Sequence, residues 1–389
     1  MAYSRGANDQ SEKERIFRQI HCSTTEATYC VTGQTVKWIT DKRPTRIATI
    51  GSGFGAAVHV PAILGQENAE FVGLIGRGQA KNIRLLRDLK LAPSLSCSTL
   101  NEALKRKPDI LTVALPPDQN ERVICEAADA GCAILCEKPL AENVETAERL
   151  VKITEGIPTA IDFQFAELAA FQELSQLIES KELGSIRHVS VLWLVESYAQ
   201  RNRIWSWKSD KKQGGGVMTL LGTHILYLAE YLFGPATRLC ASFNNASTQA
   251  FAKKPERAAE DLVHFRLEHS SGTIFSATIG NACAGLHHHQ WHVVGEKESW
   301  LLENRTSDYM SGFSLSSNEK TLVHSQKNSH KNSEDGRINP FRKILSKFIK
   351  SCQQGDWVNF QPNFTNGLRV QFLMESARKS ALINKEVSI

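Results

Sequence analysis

The chain is expected to fold as an α/β domain with a doubly wound parallel sheet, followed by an α+β domain built on a large, mostly antiparallel, open-faced sheet. Three observations carry this expectation. Between Thr45 and Phe163, short apolar runs alternate with helical patterns, which implies parallel pairing because parallel neighbours need a crossover rather than a tight hairpin. The first apolar run ends in a glycine-rich turn that opens a helix. After Phe163, strand-like segments succeed one another mostly without helices, which favours antiparallel pairing and a sheet with one face uncovered. With 389 residues, 41% of them hydrophobic and 22% charged, the chain has material for two such domains.

Residues 1–44 show neither period and read as an N-terminal extension. Residues 46–50 form a compact apolar strand, the glycine turn follows, and a helix is expected over 56–64. A second strand follows at 71–75, a helical stretch at 83–89, a short third strand at 95–97 and a fourth at 109–115. Asp118, with Glu121 three positions on, has the capping-box spacing and is expected to open the next helix. The fifth strand is placed at 133–136 and the sixth at 159–163, ending the first domain at 163. In the second domain, 164–389, a helix at 170–180 precedes strands at 187–196, 239–243, 262–267, 273–279 and 288–294. Residues 307–339 are rich in Ser, Asn, Lys and His and read as an exposed polar loop or hairpin.

Composition excludes several function classes. The 46 basic and 41 acidic residues leave a net charge of +5, with no basic clustering of the kind that marks nucleic-acid binding or a polybasic membrane anchor. No run approaches the roughly 20 apolar residues of a membrane span. Residues 1–20 lack the apolar stretch of a signal peptide, so the cytoplasm is the expected compartment. The nine cysteines contain no CxxC pair and read as reduced thiols.

Gly51-Ser52-Gly53-Phe54-Gly55-Ala56 matches the G-x-G-x-x-(G/A) dinucleotide fingerprint in its required place, after a strand and before a helix. Gly51 permits the tight turn, Gly53 lets the backbone approach a pyrophosphate, and Ala56 is small enough for close helix–strand packing. NAD-specific versions carry an acid at the tip of the second strand. Here that place holds Arg77, with Lys81 four residues on. A guanidinium suits a 2′-phosphate, so NADP(H) is favoured and NAD(H) is possible; Arg77 is otherwise a solvated loop residue.

Cys136-Glu137-Lys138-Pro139-Leu140-Ala141, the triplet Gly214-Gly215-Gly216 ahead of Gly222 and His224, and Gly367-Leu368-Arg369-Val370 near the end together resemble the glucose-fructose oxidoreductase and inositol dehydrogenase (Gfo/Idh/MocA) family. The resemblance runs from about Arg46 onward. It implies a Rossmann domain, an open-faced sheet domain, and a nicotinamide and substrate in the cleft between them. In the family the lysine matching Lys138 is catalytic, and the bond to Pro139 is commonly cis.

The chemistry agrees. Moving a hydride from a secondary alcohol to a nicotinamide requires a base for the hydroxyl proton, and the reverse reduction requires an acid at the same place. Lys138 lies at the carboxyl end of a parallel strand, where open α/β sheets form their ligand crevice, and partial desolvation lowers an ammonium's pKa. His224 is the second acid–base candidate, on a helical face shared with Leu220, Tyr227 and Tyr231. Family members have acids where this chain has Leu220 and Tyr227, so an apolar and a phenolic side chain stand in for carboxylates. This departure leaves three readings: a substrate less like a polyol, catalysis resting on Lys138 with help from His224, or a non-catalytic NADP-binding sensor or scaffold.

The loop of Leu115 and Pro116 through Asn120, and Glu137 beside Lys138, are expected to border the nicotinamide. Toward the substrate the resemblance places Glu167, Tyr198, Arg201, Arg203, Trp205, Trp207, Lys208 and Tyr227. This basic and aromatic mix suits an anionic or ring-bearing small molecule, or else is a solvated loop with its tryptophans in the core. The tract His287-His288-His289-Gln290-Trp291-His292 alternates faces in a strand and lacks matched ligands, so no metal is expected. The open sheet face makes a homo-oligomer plausible.

Overall fold

A computed structural model describes residues 38–39, 43–323 and 335–389. Most of the N-terminal extension and residues 324–334 of the polar stretch lie outside the described residues. The first sheet has six strands, β1 (Thr45–Ile50), β2 (Ala69–Ile75), β3 (Ser96–Cys97), β4 (Ile110–Val113), β5 (Ala133–Cys136) and β6 (Thr159–Ile161), all parallel, in the order β3-β2-β1-β4-β5-β6. Strand order reverses between β1 and β4, which makes the crevice at their carboxyl ends the expected ligand site.

The crossovers are helices α1 (Val60–Leu64), α2 (Gln79–Asp88), α3 (Leu100–Leu104), α4 (Asn120–Asp129) and α5 (Val144–Ile153). The helix expected over 56–64 begins as a π-helical turn, Gly55–His59, before α1. The capping box expected at Asp118 does not form. Pro117 leads a 3-10 turn, Pro117–Gln119, which pushes the start of α4 to Asn120, with Gln119 as an N-cap that makes no side-chain cap bond.

Among the described residues the second sheet has nine strands. They are β7 (Ile186–Glu196), β8 (Ala236–Asn244), β9 (Leu262–His269), β10 (Ile274–Gly280), β11 (Ala282–Gly295), β12 (Ser299–Asn304), β13 (Ser314–Ser316), β14 (Thr321–Val323) and β15 (Val387–Ser388). Their order is β14-β13-β12-β11-β7-β10-β9-β8-β15, antiparallel except for the β7–β10 pair. Strand alternation sends Val189, Val191 and Trp193 of β7 inward, against α6 (Ala169–Glu179) and α7 (Thr223–Phe233). Their outward neighbours include Ser190, Leu192, His264, Ile274 and His292, which form the uncovered face. The polar stretch is not simply exposed: Met310, Phe313 and Leu315 are buried beside α6.

Two helices close the chain, α8 (Ile338–Gln354) and α9 (Phe364–Ile383). Phe341, Ile344 and Phe348 of α8 join Ile47, Ala56 and Leu135 in the core on one face of the first sheet. The chain therefore returns to the first domain after the second sheet, across the boundary placed at 163. Ile39 is buried in the same cluster, and Trp38 meets Trp357 edge-on at 5.9 Å. The Gly367–Val370 stretch has a packing reason. A Cβ at Gly367 would meet the Ile161 side chain at 2.8 Å, and Arg369 donates to both carboxylate oxygens of Glu230 and to the Ala236 carbonyl. The one described stretch long and apolar enough to cross a bilayer, Lys211–Phe233, is mostly buried within the fold.

Candidate active site

At the turn after β1, the Gly51 N–H donates to the Ile75 carbonyl at 2.8 Å and the Ala56 N–H donates back to Gly51 at 3.1 Å. Gly51 has φ +127°, and a Cβ there would strike the Ala114 carbonyl, so only glycine makes this turn. A Cβ at Gly53 would meet nothing within 4 Å; the cradle is open where a pyrophosphate would lie, and the residues fit a dinucleotide. The close helix–strand approach expected at Ala56 falls at Gly55, 2.9 Å from the Thr49 methyl when a Cβ is added, although Ala56 is also buried. Arg77 stands exposed beyond β2, donating to the Gln119 side chain at 3.2 Å.

A cavity of about 760 Å³ opens from this turn, and Phe54, Leu115, Pro116, Glu137 and Lys138 line its cofactor side. Asn120 does not line it. Its buried amide donates to the Leu140 carbonyl at 3.0 Å and ties the loop after β4 to the one after β5. Lys138, joined to Pro139 by a cis bond, donates to the main-chain carbonyl of Leu220 at 2.7 Å. Burial holds its ammonium down at about 8, with Lys208 and Arg337 pushing the same way and Glu137 and Asp162 opposing.

Leu220 lies in a second π-helical turn, Met218–Gly222, that leads into α7. Its side chain cannot replace an acid, but its carbonyl supplies the acceptor. His224, on the first turn of α7, lines the cavity with an Nδ1 that has no partner among the described residues. Burial, then Lys138, then His289 push its pKa well below the usual histidine range, so it is neutral. The helical face expected to join Leu220, His224 and Tyr227 breaks at the π turn. Tyr227 does not reach the cavity; it stacks on Phe163 at 4.3 Å, and burial raises its phenol.

Tyr198, Trp207 and Lys208 line the substrate side. The glycine triplet positions the last two. The Gly216 N–H donates to the Lys208 carbonyl at 2.9 Å, and a Cβ at Gly215 would strike the Trp207 and Lys208 carbonyls. Glu167 does not face the substrate. It is buried away from the cavity, and Lys347 of α8 reaches both its oxygens, at 2.6 and 2.7 Å. Arg203 is exposed with φ +50° and does not line the cavity, nor does Trp205; Arg201 is paired with Glu196. His287, His288 and His289 all line the cavity. His289 lies flat against Trp193 at 4.2 Å and accepts from Trp291 Nε1 at 2.9 Å, and burial lowers it to about 3.

Several residues here carry no sequence signal. His59 is fully buried, stacked on Phe341 at 3.9 Å and 3.1 Å from Glu137. Burial lowers it to about 4. Glu137 and Asp162 are both raised by burial and share a hydrogen bond in which Asp162 keeps the proton. The ligand atoms of His59, Glu137 and Asp162 fall within 4.8 Å of one another, and we read them as a hydrogen-bonded support behind Lys138. Arg337, just ahead of α8, reaches the cavity with its guanidinium 4.8 Å above the Phe54 ring.

A dinucleotide cradle at the switch point, opening on a desolvated lysine and a neutral histidine, defines a nicotinamide-dependent oxidoreductase. Residues 45–157 match the oxidoreductase-family NAD-binding Rossmann model and 171–301 the GFO/IDH/MocA C-terminal domain model. The chain belongs to the GFO/IDH/MocA family. It is 27% identical over 354 residues to an uncharacterised oxidoreductase of Synechocystis sp., covering 86% of this chain and 93% of that one. It is 28% identical over 268 residues to a D-apiose dehydrogenase of Paraburkholderia graminis, covering 64% and 63%. Among solved structures, an oxidoreductase domain protein from Kribbella flavida superposes with a TM-score of 0.76 at 21% identity, over 89% of this chain and 99% of that one. Levoglucosan dehydrogenase in complex with NADH gives 0.75 at 17%, with the same coverage.

Proposed function

We propose that the protein transfers a hydride between a nicotinamide and a CH–OH or carbonyl carbon of a cyclic, sugar-like substrate, with Lys138 exchanging the oxygen-bound proton. One observation carries the substrate class. Buried polar atoms of cavity-lining residues, Gln164 Oε1, Trp193 Nε1, His224 Nδ1, Asn281 Oδ1 and His288 Nε2, have no partner among the described residues. A polyhydroxylated ring would satisfy them between aromatic walls, as buried polar groups require. The D-apiose and levoglucosan dehydrogenases among the relatives support the same reading.

When bound, the nicotinamide supplies the hydride acceptor or donor. In oxidation, neutral Lys138 takes the hydroxyl proton as the carbon gives up hydride; in reduction, its ammonium returns that proton. The Leu220 carbonyl orients the amine, and His224 offers a second polar contact to the reacting oxygen. Nicotinamide absorbance with a panel of sugars, sugar nucleotides, inositols and cyclic imines tests this. Turnover confined to the imines would overturn the substrate class. Tight NADPH binding with no turnover at all would favour the sensor or scaffold reading, which the apolar side chain of Leu220 motivates.

We also propose that NADP(H) is preferred, because residues 71–81 hold no acid and Arg77 stands exposed beyond β2. Arg77→Asp is expected to weaken NADPH relative to NADH by about tenfold or more, the scale of a lost charge-assisted hydrogen bond; an unaltered ratio of dissociation constants would refute the contact. The uncovered sheet face, partly apolar through Leu192, Leu262 and Ile274, supports a homo-oligomer, to be read by light scattering of the native protein and of Leu192→Asp.

A further inference from the structure

We infer that the substrate carries a carboxylate, held by Lys208 at the cavity wall with Arg337 beside it. This rests on the oxidoreductase reading and narrows its substrate to sugar acids. Among the described residues three cations reach the cavity: Lys138, Lys208 and Arg337. Lys138 is engaged by the Leu220 carbonyl, and Arg337 donates two of its N–H groups to Asp335, at 2.8 and 2.5 Å. Lys208 has no acid facing it among the described residues.

The three carboxylates that line the cavity among the described residues are all committed elsewhere. Glu137 is bonded to His59 and to Asp162. Glu196 accepts two N–H groups of Arg201 and one from Gly285. Glu260 accepts the Met218 N–H at 3.3 Å, and burial raises its pKa toward the neutral form. Lys208 is exposed as a residue, but desolvation of its ammonium, and then the neighbouring charge of Arg337, hold it below the usual lysine range. An ammonium with no acid facing it among the described residues, on the same cavity as the Arg337 guanidinium, offers a place complementary to an anion. The Lys208 backbone is pinned by the Gly216 N–H, which fixes where the side chain starts and lowers the ordering cost of binding. Trp207 and Tyr198 on the same side supply faces for the C–H surface of a ring.

A cofactor phosphate is the other possible source of the anion, since Phe54, under Arg337, belongs to the glycine turn. The test compares D-glucuronate with D-glucose and D-galacturonate with D-galactose, by kcat/KM and by tryptophan-fluorescence titration of the native protein in the presence of NADPH. At least one acid is expected to exceed its neutral parent, and Lys208→Met to lower that preference at least tenfold, while Lys208→Arg restores it and the NADPH dissociation constant stays unchanged. No preference for either acid in the native protein, or the same preference in Lys208→Met, would overturn the proposal. So would a loss in Lys208→Met that falls on NADPH instead. If no sugar turns over but an acid binds in a Lys208-dependent way, the anion site stands while the hydride-transfer reading fails.

Discussion

Replacing Lys138 with alanine is expected to lower kcat by about 10² to 10⁴-fold, the range of a lost general acid–base group, with NADPH affinity left largely intact. The two effects separate because of where the side chain ends. Its Nζ sits at the cavity against the Leu220 carbonyl, whereas the cradle is formed by the backbone of Gly51–Gly55 and depends on Ala114 and Ile75. Lys138→Met keeps the aliphatic stem and should lose turnover to the same degree, which distinguishes missing chemistry from a packing defect. Steady-state rates beside a fluorescence titration of NADPH provide the check; unchanged turnover in both variants would remove Lys138 from the mechanism.

Leu220→Asp is expected to move the pH profile rather than abolish activity. Lys138 titrates at about 8 because burial outweighs its nearby carboxylates. A carboxylate placed at position 220 favours the ammonium and raises that value, on the order of one to three units for an opposite charge this close. Oxidation uses the neutral amine, so its rising limb should shift to higher pH, and the rate at neutral pH should fall about tenfold or more. Reduction uses the ammonium, so its activity should persist further into the alkaline range. Leu220→Asn adds no charge and should leave both limbs in place. Limbs that stay put in the Asp variant would show that another group titrates.

The first domain was legible because its strands are buried on both faces and therefore read as continuous apolar runs. Residues 133–136 were placed without error for that reason. The cofactor turn was equally plain, since Gly51 answers a local steric demand. The substrate side was harder. Glu167 looked available until α8, about 180 residues later in the chain, delivered Lys347 to it. Tyr227 followed the helical period from Leu220, but the π turn resets that period. His59, Asp162 and Arg337 reach the site only through tertiary packing, and no spacing in the chain announces them.

The acceptor that holds Lys138 belongs to the main chain, and this bears on how the site can drift through evolution. A carboxylate partner is lost with a single codon change, whereas a carbonyl is present whatever side chain occupies position 220. Substitution there can retune the polarity of the wall while the lysine keeps its anchor. Deleting Leu221 would do the opposite: it would turn what precedes it by about 100° relative to the helix, withdrawing the anchor while removing none of the side chains named at the site.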